Sequence, residues 1–216
     1  MITILMPIYN GIEFIKESIN SIKNQTYQDW ELLVGVNGCG LNSKNFRRAK
    51  KFENDKIKVY EFNFGGKSKT LNELIKLAQG DWIALLDVDD KWHPKKLEKQ
   101  VLFIDKYDVI GTDTRYFGEK KDKPNLPMKD LGDFNFLNYN PITNSSVLLK
   151  KELCWWEKDG LEDYELWLRL WKRKCKFYNV KKELTYHRVH QKSFFNTNKD
   201  LEKELVKLKE YYSKNF

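Results

Sequence analysis

Apolar residues along the first half of the chain switch repeatedly between two spacings. Ile2-Thr3-Ile4-Leu5-Met6-Pro7 reads as a strand, and Ile12, Ile15, Ile19 and Ile22 then recur at helical spacing, as for a helix packing one face on a sheet. Gln25-Thr26-Tyr27 ends that helix. Glu31 to Val36 is a second strand, and Asn37-Gly38-Cys39-Gly40 is a flexible loop at its carboxyl end. A basic helix around Ser43 to Phe52 precedes a short strand at Ile57 to Glu61. Gly65-Gly66 breaks the chain, and Ser68 is placed to cap a helix that carries Leu71, Leu74, Ile75 and Ala78 and closes at Gly80. The uninterrupted run Ile83-Ala84-Leu85-Leu86 then predicts a strand buried on both faces. Strand and helix thus alternate four times in about 105 residues, the pattern of a parallel, doubly wound α/β sheet.

Beyond Asp105 the rhythm changes. Tyr107 to Thr112 reads as a strand, whereas Gly118 to Pro141 is polar, Pro-containing and irregular, with few apolar anchors. A segment that long inside a compact domain is usually functional or mobile. Ser145 to Leu149 is a further strand, Tyr164 to Lys174 an amphipathic helix, and Phe177 to Val180 and Leu184 to Val189 two short strands. Trp167, Leu170 and Trp171 share one helical face and are expected in the core. Leu201, Leu205 and Leu208 with Tyr211 or Tyr212 predict a terminal helix docking by one face.

The central strand ends in Asp87, Asp89 and Asp90. Carboxylates that close raise one another's pKa unless a cation compensates them. The carboxyl end of a buried parallel strand is also where open α/β sheets place ligands. A hard divalent cation with bridging phosphates would resolve the repulsion. The competing reading is a polar turn in which Asp89 or Asp90 begins the helix that Pro94 opens.

Composition narrows this little. With 41% hydrophobic and 14% aromatic residues over 216 positions, the chain is a folded globular protein that can bury a sizeable core. Its net charge of +8 suits an anionic partner, but the lysines are scattered and interleaved with acids, not gathered into the aromatic-studded basic stripe of a nucleic-acid-binding module. Cys39, Cys154 and Cys175 are odd in number and lack metal-ligand spacing, which favours free thiols and a reducing compartment. No apolar run approaches a membrane span and no signal peptide is evident. These features predict a cytoplasmic protein, with peripheral membrane contact compatible.

Several segments, in order along most of the chain, resemble the family 2 glycosyltransferases of the GT-A fold. They are Pro7-Ile8-Tyr9-Asn10-Gly11, Ser21-Ile22-Lys23-Asn24-Gln25-Thr26-Tyr27 and Leu86-Asp87-Val88-Asp89-Asp90, followed by Trp92-His93-Pro94 with Lys96-Leu97-Glu98. Downstream come Glu162-Asp163-Tyr164-Glu165-Leu166-Trp167-Leu168-Arg169 and His187-Arg188-Val189-His190 followed by Ser193. The resemblance implies an enzyme of hexosyltransferase type that moves a sugar from a nucleotide-diphosphate sugar to an acceptor hydroxyl, with inversion at the anomeric carbon.

Carried over residue by residue, the resemblance makes Asp87 a donor contact facing the ribose and Asp89 a ligand of Mn²⁺ or Mg²⁺, with His190 completing the metal shell or touching the diphosphate. Glu162-Asp163 matches the family's acidic pair, with Asp163 as general base. An acid at a helix start also stabilises the helix, but the helix dipole would keep Asp163 ionised, as a base requires, and the full run from Glu162 to Arg169 favours catalysis. Pro7, Tyr9, Asn10, Asn37, Asn72 and Val88 fall at donor positions, and Lys67 and Lys69 could meet diphosphate oxygens. The family usually carries two acids where this chain has Val36 and Asn37. A UDP-sugar is therefore favoured, with GDP- or dTDP-sugars as alternatives. Trp155 and Trp156 are either an acceptor-binding platform or a hydrophobic plug over the sheet. The glycan or other acceptor is not specified.

One GT-A domain is expected over residues 1–190, with a nucleotide-sugar-binding half at 1–110, an acceptor half at 111–190 and a helical tail at 191–216. The rival readings are a metal-dependent nucleotidyltransferase, which would carry a Gly-rich phosphate loop after the first strand, and a catalytically degenerate GT-A binding protein.

Overall fold

The computed structural model describes residues 1–157, 159–191 and 200–214. Its elements are β1 (Ile2–Ile8), α1 (Ile15–Lys23), β2 (Trp30–Asn37), α2 (Lys44–Lys50), β3 (Ile57–Phe62), α3 (Lys67–Leu77), β4 (Trp82–Leu85) and β5 (Lys91–Trp92). There follow α4 (Lys96–Gln100), β6 (Val109–Gly118), β7 (Lys129–Asp130), β8 (Leu148–Lys150), α5 (Glu162–Lys172), β9 (Phe177–Val189) and α6 (Leu201–Lys214). The strands form one mixed sheet in the order β3-β2-β1-β4-β8-β6-β9-β5, with β7 paired to β9. The first four run parallel, as the alternating pattern predicts, while β8 is antiparallel to both β4 and β6 and reverses the sheet beside the central strand. β6 and β9 are parallel.

Two apolar layers cover the two faces. Ile4, Met6 and Ile8 of β1 pack with Ile15, Ile19 and Ile22 of α1, the repeat that predicted that helix. Leu5 and Leu33 face the other way, onto Leu71 and Leu74 of α3 and the Trp167 face of α5. The end of α1 is latched to the segment after β4. Gln25 Nε2 donates to the His93 carbonyl at 2.9 Å, the Leu97 amide donates to Gln25 Oε1 at 3.1 Å, and the Thr26 amide donates to the Pro94 carbonyl at 2.8 Å.

Several details differ from the sequence expectation. Phe177 to Val189 is one strand, not two. The exposed Lys181 and Lys182 that interrupt its apolar pattern lie where the pairing with β6 shifts register around Asp113. The expected strand at 145–149 is Leu148–Lys150, and Asn144–Ser146 is a 3-10 turn. The irregular segment 118–141 is better anchored than its composition suggests. Leu131 and Phe136 are buried in the core, and the Tyr164 hydroxyl donates to the Phe136 carbonyl at 2.6 Å. α3 starts after Gly66, whose φ of 113° suits glycine, and the cap is supplied from afar: the Ser68 amide donates to Asp159 Oδ1 at 2.6 Å. α6 docks through Leu208 and Tyr212, whose hydroxyl donates to Glu165 at 2.5 Å. Ser193, the last residue of the quoted motifs, lies outside the described residues.

Candidate active site

β1, β2 and β4 are parallel and end on the same edge of the sheet, and the three aspartates that follow β4 point in different directions. They cap no helix: the Asp90 amide donates to the Asp87 carbonyl at 3.0 Å, closing a turn, and α4 begins beyond β5 without a side-chain cap. Asp90 turns inward and is 1% exposed. Its carboxylate meets His187 Nδ1 at 3.0 Å and accepts the Arg188 amide at 2.8 Å, so it joins β4 to β9. Burial would lower the pKa of His187, but Asp90 and the other two aspartates raise it to about 9.

Asp87 faces α3 and α5. Lys67 Nζ lies 2.9 Å from its Oδ1 and 3.0 Å from Glu162 Oε1, so a single ammonium ties the central strand to the start of α5. Asn144 Nδ2 donates to Asp87 Oδ2 at 2.9 Å, and the Asp87 amide donates to Ser145 Oγ at 3.1 Å. Burial alone would raise Asp87, but Lys67 and Asn144 hold it below the usual carboxylate range. Lys67 is in turn held well above its ordinary value, because Asp87 and Glu162 outweigh its desolvation.

Asp89 has the least compensation. Burial and its neighbours Asp90 and Asp87 push it up to about 6, and His190 Nε2 lies 3.0 Å from its Oδ2. Among the described residues no group of three or more His, Cys, Asp or Glu side chains is arranged to hold a metal ion. A carboxylate with one imidazole nevertheless fits a cation that takes its remaining ligands from phosphate and water, the habit of Mg²⁺-type sites.

Asp163 is half-buried in the first turn of α5. Its Oδ1 accepts the Tyr164 amide at 2.7 Å and its Oδ2 accepts Asn140 Nδ2 at 3.1 Å. The helix start does not keep its pKa low: burial, then the adjacent Glu162, push it up to about 6. At pH 7 it is still mostly ionised and can accept a proton.

The remaining sequence candidates divide. Tyr9 and Asn10 are exposed at the end of β1, just past Pro7, and the Tyr9 ring lies against Gly38 of the next loop. Asn37 is buried: its Nδ2 donates to the Ile8 carbonyl at 3.3 Å and its Oδ1 has no hydrogen-bond partner. Val36 faces the core instead, so the two positions that replace the family's acids are not equivalent. The Val88 side chain also lies in the core. Asn72 is consumed by the backbone of Trp156, donating to its carbonyl at 2.7 Å and accepting its amide at 3.0 Å. Lys69 is exposed, with its ammonium 4.2 Å from the centre of the Phe64 ring, away from the Lys67 bridge. Trp156 is 1% exposed and plugs the core, whereas Trp155 is 51% exposed. Trp155 borders a pocket of about 450 Å³ shared with Ser68, Lys69, Glu73 and Asp159. Sequence reasoning missed Asn140, Asn144 and Ser145. Their signal was a polar run, Asn-Pro-Ile-Thr-Asn-Ser-Ser, leading into a strand.

A family description, glycosyl transferase family 2, matches residues 3–163. The chain belongs to this family. It is accordingly a glycosyltransferase. WbnJ of Escherichia coli, an O-antigen biosynthesis glycosyltransferase, is 27% identical over 214 residues, covering 89% of this chain and 81% of WbnJ. Among solved structures, TarS 1-349 of S. aureus in complex with UDP-GlcNAc aligns with a TM-score of 0.78 at 17% identity, over 99% of this chain and 66% of that one. The mannosyltransferase PcManGT of Pyrobaculum calidifontis, in complex with GDP-Man and Mn²⁺, aligns with a TM-score of 0.67 at 16% identity, over 89% and 58%. These likenesses identify the GT-A fold.

Proposed function

We propose that this glycosyltransferase takes a sugar from a nucleoside-diphosphate sugar and passes it, with inversion, to an acceptor hydroxyl. The observation that carries the reading is the Lys67 bridge at 2.9 and 3.0 Å, which ties the donor-side carboxylate Asp87 to the Glu162-Asp163 pair. Residues 1–110 would hold the donor and 111–190 the acceptor. The donors bound by TarS and PcManGT support this class of donor.

In this reading Asp89 and His190 hold a divalent cation, Mn²⁺ or Mg²⁺. When bound, it supplies charge neutralisation for the departing diphosphate. Lys67 adds a fixed positive charge beside that diphosphate. Asp163, aimed by the Tyr164 amide and Asn140, takes the proton of the acceptor hydroxyl as it attacks, and Glu162 holds Lys67 in place. Tyr9 and Asn10 border the nucleoside. A rearrangement that uncovers the buried Asn37 Oδ1 would let it accept an N–H of the base, which uracil, thymine and guanine offer and cytosine lacks at the equivalent ring position. UDP-sugars are the favoured donors. The exposed Trp155 is the acceptor platform, stacking on a sugar face. Cytoplasmic residence belongs to the same proposal, supported by three free thiols.

A thermal-shift series with UDP-, GDP- and dTDP-sugars, with and without Mn²⁺, tests the reading. A ligand at a hundred times its dissociation constant adds about 2.7 kcal/mol. No shift with any donor in the presence of Mn²⁺ would overturn it.

A further inference from the structure

The turn that carries Asp89 is gripped through its backbone. The buried Ser18 hydroxyl, on α1, lies 2.6 Å from the Val88 carbonyl oxygen and 2.5 Å from that of Asp90, and shares its one hydrogen between them. Arg188 Nε, on β9, donates to the Asp89 carbonyl at 2.9 Å. The Asp90 amide already holds the Asp87 carbonyl. Every carbonyl from Asp87 to Asp90 therefore has a donor, and none of those donors occupies the Asp89 carboxylate.

Arg188 is itself immobilised. Its guanidinium lies between two rings, 4.2 Å from the centre of Phe14 and 4.3 Å from that of Phe117. Its terminal nitrogen pairs with Glu17, and its backbone amide donates to Asp90. A guanidinium set against two aromatic rings and paired with a carboxylate has little freedom left to lose. Glu17 and Ser18 are consecutive on α1. One turn of that helix thus holds the Asp89 turn twice, directly through the serine and indirectly through the arginine.

This arrangement answers a mechanical problem. Asp89 stands between two other carboxylates, and an untethered turn would rotate it away from them. With the carbonyls on both sides fixed, its backbone cannot relax and the side chain keeps its aim. We infer that Ser18, Arg188 and Glu17 are positioning residues that clamp the Asp89 turn between α1 and β9 and so set its grip on the donor's cation and diphosphate. The inference rests on the reading that Asp89 holds that cation.

The test uses the full chain, with UDP as the probe. UDP affinity is measured by calorimetry in Mn²⁺ and in excess chelator for the wild type, Ser18→Ala and Glu17→Gln, alongside melting temperature. Orienting groups behind a metal ligand typically contribute 10- to 100-fold to metal affinity. Ser18→Ala should weaken UDP binding in Mn²⁺ about tenfold and leave binding in chelator within about twofold. Glu17→Gln, on a more exposed residue, should move the same way by a smaller factor. A purely structural role would lower both affinities alike, or only the melting temperature, and either result overturns the clamp. If Ser18→Ala does not fold, Glu17→Gln decides alone. A wild type that binds UDP no better in Mn²⁺ refutes the reading of Asp89 itself, and the clamp falls with it.

Discussion

Replacing Asp163 by Asn should remove activity and, at neutral pH, stabilise the fold. The carboxyl is pushed from 3.8 to about 6, so the folded chain disfavours its charged form. The sign follows from linkage: above pH 6 the unfavourable ionisation is fully present, and below about 4 it is gone. A gap of about two pH units at 1.36 kcal/mol each sets an upper bound of roughly 3 kcal/mol. Against this, the new side-chain amide would turn a donor toward Asn140 Nδ2, which now donates to Asp163 Oδ2 at 3.1 Å. Flipping Asn140 would in turn sacrifice the bond from the Ile142 amide to its Oδ1. That mismatch costs about 1 kcal/mol. The net gain is about 1–2 kcal/mol at pH 8, or roughly 2–8 °C in melting temperature for a chain of this size, fading toward pH 4. Turnover should fall by about 10² to 10⁴. Melting curves at pH 4 and pH 8 beside initial rates of sugar transfer measure both. A variant that melts lower at pH 8 yet keeps its specific rate would show that Asp163 serves the helix and not the chemistry.

Other expectations follow from the same geometry. Lys67→Met should move the acid limb of the pH–rate profile above its wild-type midpoint near 6, because the ammonium holds Asp163 down; an unmoved limb counts against Asp163 as the base. The same variant removes the shared cation from Asp87 and Glu162 and should lose about 3 kcal/mol in denaturant melts. Asp89→Ala should abolish transfer and the Mn²⁺ dependence of UDP binding while melting cooperatively, and full activity in excess chelator would remove the metal from the mechanism. Trp155→Ala should raise the acceptor KM without changing donor affinity, and an unchanged acceptor KM would exclude it as platform. Trp156→Ala should instead destabilise by about 3–5 kcal/mol, read from the denaturation midpoint.

The parallel half of the sheet was legible because its pattern is local. Four continuous apolar runs separated by a 3.6-residue repeat or by glycines leave few alternatives to a parallel sheet. The antiparallel β8 was harder, because its three residues carry no period of their own and their direction is set by the Asn144–Ser146 turn before them. Lys181 and Lys182 looked like a gap between strands, since an irregularity that faces water breaks an apolar pattern as effectively as a loop does. The acidic motifs announced themselves, but their division of labour did not. Asn72 is at a donor position by motif, yet its amide is spent on the Trp156 backbone, a pairing 84 residues away along the chain. The cap of α3 likewise comes from Asp159, beyond the reach of any local rule.

Three identical side chains within four residues end in three different roles, and the environment alone separates them. Asp90 is matched by an imidazole and a backbone amide, and Asp87 by an ammonium and a side-chain amide. Asp87 is thereby held as an anion, and both carboxylate oxygens of Asp90 are engaged by protein groups. Asp89, with His190 beside it and His187 acting from farther off, keeps the unresolved repulsion of the cluster. A sequence optimised for stability would place a second cation there or replace the aspartate, since a neutral residue would remove the repulsion at the cost of one contact to His190. On the proposed reading, leaving the imbalance on one carboxylate, inside a turn whose four carbonyls are all held, concentrates it where an incoming cation would relieve the most. Local sequence and global stability disagree at Asp89, and such disagreements are expected where a chain is built to bind.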